Sequence, residues 1–195
     1  AAARILACPL KVNPPNWQHG RVIYATAVER LLHGDDDGIF LDIGTAKGFS
    51  ACVMSWAIGT YGKRDRRIVS IDVIDPGSKD PRNSVAELDG PKTIFQFVAP
   101  YKHPDVEITF IGWGSKQWLA PNPLRIAYAF VDGKHTYEAV SYEAFKISQR
   151  QQKGDVIVFD DLQIAPVGRA VSELRGYNME HLSAGPRRYA IAVKR

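Results

Sequence analysis

Apolar runs of β character alternate with stretches of helical periodicity along nearly the whole chain, and this alternation most narrows the fold. The β-type runs cover 38–43, 67–73, 106–111, 125–131 and 155–160. Helical spacing occupies 22–32, 49–58, 83–98, 136–150 and 167–175. Strand and helix in strict turn predict right-handed βαβ units and a parallel sheet covered on both faces. Several runs are almost continuously apolar, as strands buried on both sides must be. The end of the chain breaks the rule. Residues 177–182 and 188–193 flank the turn-rich Ser183-Ala184-Gly185-Pro186 and predict a closing hairpin. The expectation is an α/β protein with a seven-stranded, mostly parallel sheet and helices on both faces. No linker-like tract divides it, so one domain spans 1–195, with a lid and first helix in 1–33 and a core in 38–193.

Size supports this. A chain of 195 residues buries roughly 70% of its unfolded surface and folds without a disulfide or structural metal. Its two cysteines, Cys8 and Cys52, show no zinc spacing, and Cys52 falls among apolar neighbours as a core residue. A reducing, cytoplasmic setting fits. No apolar run approaches the roughly 18 residues of a membrane span, and residues 1–10 are too short for a secretory signal. The formal net charge is +4. The excess sits in Lys63, Arg64, Arg66 and Arg67 and in Arg187, Arg188, Lys194 and Arg195, without interleaved aromatics. These clusters predict a solvated surface rather than a nucleic-acid footprint.

The first β run ends in Asp42-Ile43-Gly44-Thr45-Ala46-Lys47-Gly48-Phe49-Ser50. Glycines there let the backbone turn and approach a ligand in the crevice at the strand carboxyl ends. The spacing is neither GxGxxG nor GxxxxGK[ST]. Asp42 would repel a pyrophosphate but could meet an amino group. The second run ends at Asp72, where a carboxylate can accept both hydroxyls of a ribose. A cofactor with a nucleoside and a free amino-acid end fits both.

Two later strand ends are acidic. One is Asp132-Gly133-Lys134-His135, the other Asp160-Asp161. Adjacent parallel strands end on one edge, roughly 5 Å apart, so these carboxylates can converge. Without a cation they would repel, and Mg²⁺ suits a few carboxylates plus waters. The plainer alternative makes Asp132 a cap for the helix near Thr136, and Asp160 and Asp161 loop initiators. His135 has the ordinary pKa of a neutral-pH base, with Lys134 its rival.

The ordered segments FLDIGTAKGFS, IVSIDV, AFVDGKHTYEAV and VIVFDD resemble the motifs of class I S-adenosylmethionine-dependent methyltransferases over residues 39–193. The chain is most similar to the small bacterial macrocin-type and catechol-like metal-dependent O-methyltransferases. The resemblance implies a Rossmann-like fold and S-adenosylmethionine as cofactor. Asp42 would hold the methionine amino group, with Gly44, Thr45, Ala46, Gly48, Phe49 and Ser50 around it. Asp72 and Val73 would hold the ribose side, and Asp132 would border the cofactor. In the family the third strand is often followed by Gly-Asp-Ser; here Trp113-Gly114-Ser115 stands there, without the acidic residue. Trp113 stacks on the base or is a core aromatic, and Ser115 joins the cofactor set. Asp132, Asp160 and Asp161 match carboxylates that hold Mg²⁺ in the family. The family often reads Asp-Gly-Asp-His, so Lys134 is a departure.

Residues 11–21 carry two prolines with Trp17, His19 and Arg21, and serve as a functional lid or a structural wrap. The expected partner is a small-molecule hydroxyl acceptor. No membrane partner is expected, and homodimerisation stays open. The rivals are a metal-independent methyltransferase of nucleic acid or protein and a non-catalytic cofactor-binding module.

Overall fold

Every residue of β1 (Ile39–Ile43), β2 (Ile68–Ile71), β6 (Ile126–Val131) and β7 (Val156–Phe159) is buried. That requires cover on both sides, and the chain supplies it with helices. The computed structural model describes residues 16–35, 37–62, 66–77, 86–87, 90–91 and 93–195. The sheet has seven strands in the order β5-β2-β1-β6-β7-β9-β8, with β5 at Ile108–Ile111, β8 at Tyr177–Ala184 and β9 at Arg187–Lys194. The first five strands in this order run parallel, and β9 pairs antiparallel with β7 and β8. This is the expected α/β architecture. The strand order reverses between β1 and β6, which places a crevice outside their carboxyl ends.

Side-chain alternation splits the interior into two cores. Phe40, Tyr128, Phe130 and Val158 face α1 (Asn16–His33) and α2 (Phe49–Tyr61). Leu41, Ala129, Val131 and Phe159 face α4 (Ser115–Leu119), α5 (Tyr137–Ser148) and α6 (Ala165–Ser172). Helix α2 is buried from Phe49 through Ile58, because it is wedged between α1 and the sheet. Cys52 lies in it as a buried free thiol.

Several boundaries differ from expectation for physical reasons. Helix α1 begins at Asn16, so the second half of the expected lid is helical; residues 11–15 lie outside the described residues. Among the described residues, the helix expected over 83–98 forms only as α3 (Ile94–Val98); residues 83–85, 88–89 and 92 lie outside them. Before it, β3 (Ala86–Glu87) and β4 (Gly90–Pro91) pair antiparallel. Gly90 and Pro91 are poor in a helix interior, and Thr93 with Gln96 forms a capping box that starts the helix afresh. Helix α4 was not expected. The closing turn is shorter than the tetrad suggested: Ser183 and Ala184 are paired strand residues, and only Gly185 and Pro186 turn. The expectation of a wholly solvated basic surface also fails. Arg66 is buried, with its guanidinium 5.5 Å from the centre of the Phe40 ring.

The opposite edge of the sheet is tied by charge. Asp155 is fully buried and accepts from Arg30 Nε at 3.1 Å and Nη2 at 2.7 Å, and from Arg125 Nη2 at 2.9 Å. Arg30 is on α1 and also donates to the Ala127 carbonyl at 3.1 Å. The network therefore fixes α1 against β6 and β7. Removing Asp155 leaves the buried Arg30 guanidinium with only the half-exposed Asp35, 3.0 Å away, as its counterion, which costs more than an exposed pair is worth. Asp155→Ala should lower stability by about 3–5 kcal/mol in urea unfolding. A loss below about 1 kcal/mol would rank the network with ordinary surface pairs.

Candidate active site

The parallel ladder sets the positions of the acidic strand ends. Asp72 N–H donates to the Ile111 carbonyl at 3.1 Å, Asp132 N–H to Ile43 at 2.9 Å, and Asp160 N–H to Val131 at 3.1 Å. Each residue is thus the last rung of its strand, and all three stand on one edge. Beside them opens a cleft of about 800 Å³. Gly44, Ala46, Asp72, Val73, Trp113, Ser115, Asp132 and Lys134 belong to its wall.

The glycine loop is shaped by contact. Gly44 has φ 95°, and a Cβ there would lie 2.0 Å from the Asp132 carbonyl oxygen. Gly48 has φ 75°, and a Cβ would meet Val98 at 2.5 Å. Neither position admits a side chain, so the loop backbone stays flush with the cleft. The Ala46 N–H donates to Asp72 Oδ2 at 3.0 Å, which ties the loop to the second strand end.

Asp42 is fully buried behind the loop, on the α1/α2 side of the sheet, and is not on the cleft wall. Ser70 Oγ donates to its Oδ2 at 2.6 Å, while Oδ1 is buried without a hydrogen bond among the described residues. Burial raises its pKa to about 7; the Ser70 and Ser50 hydroxyls oppose this, and the charges of Asp132 and Asp72 add to it. Thr45, Phe49 and Ser50 are likewise buried and off the wall. Trp113 is 47% exposed at the rim, which excludes the core-aromatic reading.

The second acidic group adjoins the first through Asp132. His135 Nε2 lies 3.2 Å from Asp132 Oδ1 and 3.4 Å from Asp161 Oδ2. Arg187, at the start of β9, contacts Asp160 closely and reaches Asp132 at 3.8 Å and Asp161 at 4.0 Å. His19 from α1 stands 3.5 Å from Asp160 Oδ2, with its Nδ1 2.8 Å from the Tyr189 hydroxyl. Asp161 holds φ 55°, a left-handed strain for a non-glycine residue, of the kind concentrated at functional sites.

Arg187 offsets part of the negative charge of this cluster. Partial burial disfavours the Arg187 charge, but Asp160, Asp132 and Asp161 outweigh it and raise its pKa. The Asp132 hydrogen bond raises the His135 pKa; burial opposes it and the surrounding carboxylates add to it. Burial and the Asp132 charge push Asp160 up, and Arg187 pulls it down. Arg187 places one cation among the three carboxylates, so their convergence does not by itself demand a metal. The helix-cap alternative for Asp132 is overturned. The N-cap of α5 is Thr136, whose Oγ1 accepts from the Ala139 N–H at 3.3 Å.

For a divalent ion, Asp132, His135 and Asp161 offer ligand atoms within 4.8 Å of one another, as do His19, Asp132 and Asp160. This oxygen-rich donor set suits Mg²⁺, on condition that the Arg187 guanidinium turns aside. His19 and Arg187 were not singled out as site residues by the sequence. The prediction of strand ends finds the acids, but not what the helix and hairpin bring to them.

A methyltransferase domain family matches residues 41–162, which run from β1 past β7 and include both acidic groups. The chain belongs to this family. It is an S-adenosylmethionine-dependent methyltransferase with the Rossmann-like class I fold. Comparison with curated protein sequences finds no match. Among solved structures, the O-methyltransferase NovP superposes with a TM-score of 0.69 at 18% identity, over 92% of this chain and 81% of NovP. CalS11, a TDP-rhamnose 3'-O-methyltransferase of calicheamicin biosynthesis, gives 0.67 at 17% identity, over 99% and 92%. A putative rRNA methylase from Clostridium thermocellum gives 0.62 at 10% identity, over 88% and 96%. At these identities the likeness is one of fold, and its range of acceptors leaves the acceptor to be argued from the site. No described helix is long and apolar enough to cross a membrane.

Asp72 is the residue on which nucleoside binding should depend. Asp72→Ala should weaken S-adenosylmethionine binding by about 1–3 kcal/mol, the range for hydrogen bonds to a charged group. Calorimetry on the folded variant checks this, and an unchanged affinity removes Asp72 from the site.

Proposed function

We propose that the protein transfers a methyl group from S-adenosylmethionine to a hydroxyl of a small molecule, assisted by Mg²⁺. The observation that carries this reading is Asp132, which lies both on the cleft wall and in the Asp160/Asp161/His135 cluster. Cofactor and acid cluster thus share a residue, and an acceptor oxygen at the cluster lies next to the reacting end of the cofactor. The O-methyltransferase neighbours support oxygen as the acceptor atom.

In this reading Asp72 accepts the ribose hydroxyls, and the backbone from Gly44 to Gly48 lies along the methionine end. Asp42 keeps Oδ1 without a hydrogen bond beneath that loop, which suits the ammonium. Asp132, Asp160 and Asp161 would hold the metal. When bound, Mg²⁺ orients the acceptor hydroxyl and lowers its pKa. The acceptor oxygen displaces the sulfonium in line: an O–CH₃ bond forms, the S–CH₃ bond breaks, and S-adenosylhomocysteine leaves. The acceptor proton goes to His135, whose Nε2 side is held by Asp132 and Asp161 and whose other ring nitrogen is then the base. Because the sulfonium is already a good leaving group, positioning supplies most of the rate.

Arg187 favours a second reading. A guanidinium fixed among the carboxylates does electrostatically what a metal would, so the enzyme works without one. The two readings separate in an assay of radiolabelled methyl transfer to vicinal diols, catechols and sugars. The metal reading expects activity to vanish with chelator and return with Mg²⁺. It also expects Asp160→Asn combined with Asp161→Asn to remove that dependence while leaving cofactor affinity near wild type. Full activity in chelator, lost on Arg187→Ala, selects the second reading.

The same assay distinguishes the two candidate bases. His135→Ala should lower kcat by roughly 10²–10⁴-fold, the scale of general-base loss. Its activity should recover partly as pH rises and the acceptor hydroxyl ionises unaided. Lys134→Ala, on the cleft wall, should cost far less. If Lys134→Ala is crippled and His135→Ala works normally between about pH 6 and 9, a span covering the ordinary histidine range, the base is the lysine.

A further inference from the structure

One buried acid on the cleft wall has no task in the reading above. Glu143, on α5, is 1% exposed and lines the cleft. Its Oε2 is buried without a hydrogen-bond partner among the described residues. Native interiors seldom leave a carboxyl oxygen unpaired, and where they do, a ligand atom can complete it.

The surroundings define what would fit. Glu143 Oε1 lies 3.7 Å from where a Cβ of Gly133 would stand, so the carboxyl sits beside the turn after β6. Ser115, the first residue of α4, places its hydroxyl near enough to Glu143 to oppose the rise of its pKa. Val73 Cγ1 lies 3.7 Å from where a Cβ of Gly114 would stand. Val73 is 73% exposed at the rim of the same cleft, beside the exposed Trp113. The slot therefore offers two apolar groups at its rim and one polar end, with a carboxyl and a hydroxyl. A flat heterocycle with a donor and an acceptor side by side matches it. The slot begins at Val73, next to Asp72, where a base attached to the ribose would emerge.

We infer that Glu143, backed by Ser115, reads the adenine of the cofactor, accepting from its exocyclic amine and pairing with an adjacent ring nitrogen. This rests on the S-adenosylmethionine reading. It also supplies, from a helix, the acidic group missing between Trp113 and Ser115. Burial raises the Glu143 pKa to about 7, so a protonated fraction is present at neutral pH; the Ser115 hydrogen bond and the His135 charge oppose the rise. A protonated carboxyl has one O–H donor and one carbonyl acceptor, the same pair as the amide of glutamine, which reads adenine bidentately.

The test is calorimetry with S-adenosylhomocysteine and its analogue lacking the 6-amino group. Wild type should bind the analogue about tenfold or more weakly, within the range for one bidentate base contact. Glu143→Gln should retain S-adenosylhomocysteine affinity and the preference. Glu143→Ala should lose both and bind the two ligands alike. The inference is overturned if wild type binds both ligands equally, or if Glu143→Ala weakens both by the same factor, which marks a structural role. It is also overturned if Glu143→Ala binds S-adenosylhomocysteine as wild type does. Should Glu143→Ala not fold, wild type with the analogue and Glu143→Gln still decide. Wild type failing to bind S-adenosylhomocysteine at all would overturn the cofactor reading itself, a result distinct from the others.

Discussion

The last rungs of the parallel ladder hold the rest of the site in place. A backbone N–H at the end of each strand bonds to the neighbouring strand, and the residue carrying it is acidic at β2, β6 and β7. Strands β1, β2, β6 and β7 are buried on both faces, so these rungs cannot shift without disturbing two cores. Three carboxylates are thereby fixed by the most rigid part of the molecule. Loops and helices only complete what the edge begins, as Ala46 does for Asp72 and Thr136 does by capping α5 in place of Asp132.

Fixing carboxylates at one edge creates an electrostatic cost, and the fold answers it from two directions. The β8–β9 hairpin brings Arg187 across from the antiparallel end of the sheet, and α1 brings His19 from the opposite face. The tight turn at Gly185 and Pro186 lets β9 start at Arg187, beyond the Phe159↔Ala190 pair that ends its ladder with β7, so the side chain reaches the acids that follow β7. A long cation on a hairpin can turn aside as a rigid backbone cannot. The same cluster therefore suits either an internal counterion or a bound metal.

The sequence made some of this legible and hid the rest for identifiable reasons. Apolar runs ending in Asp72, Asp132 and Asp160 reveal strand ends, because alternation and burial are local patterns. The crossover rule adds the hand of the βαβ units but not the order of the strands, which only the structure gives. Arg187 looked like part of a solvated basic tail, since nothing local says that β9 returns beside β7. His19 looked like part of a lid, since residues 16–21 carry no strong apolar periodicity. Glu143 falls within a helix of ordinary polar composition, and only the packing of α5 beneath the β6 turn buries it. The helix expected over 83–98 failed at Gly90 and Pro91, where breakers outweighed an apolar pattern.

The central claim is that the cleft at these strand ends holds S-adenosylmethionine with its reacting end toward Asp132. A crystal structure of the complex with S-adenosylhomocysteine tests it most directly. The ribose hydroxyls should lie on Asp72, the base beside Val73 and Trp113, and the sulfur near Gly44 and Asp132. A nucleoside bound elsewhere, or a sulfur turned away from the Asp132 cluster, would contradict the account.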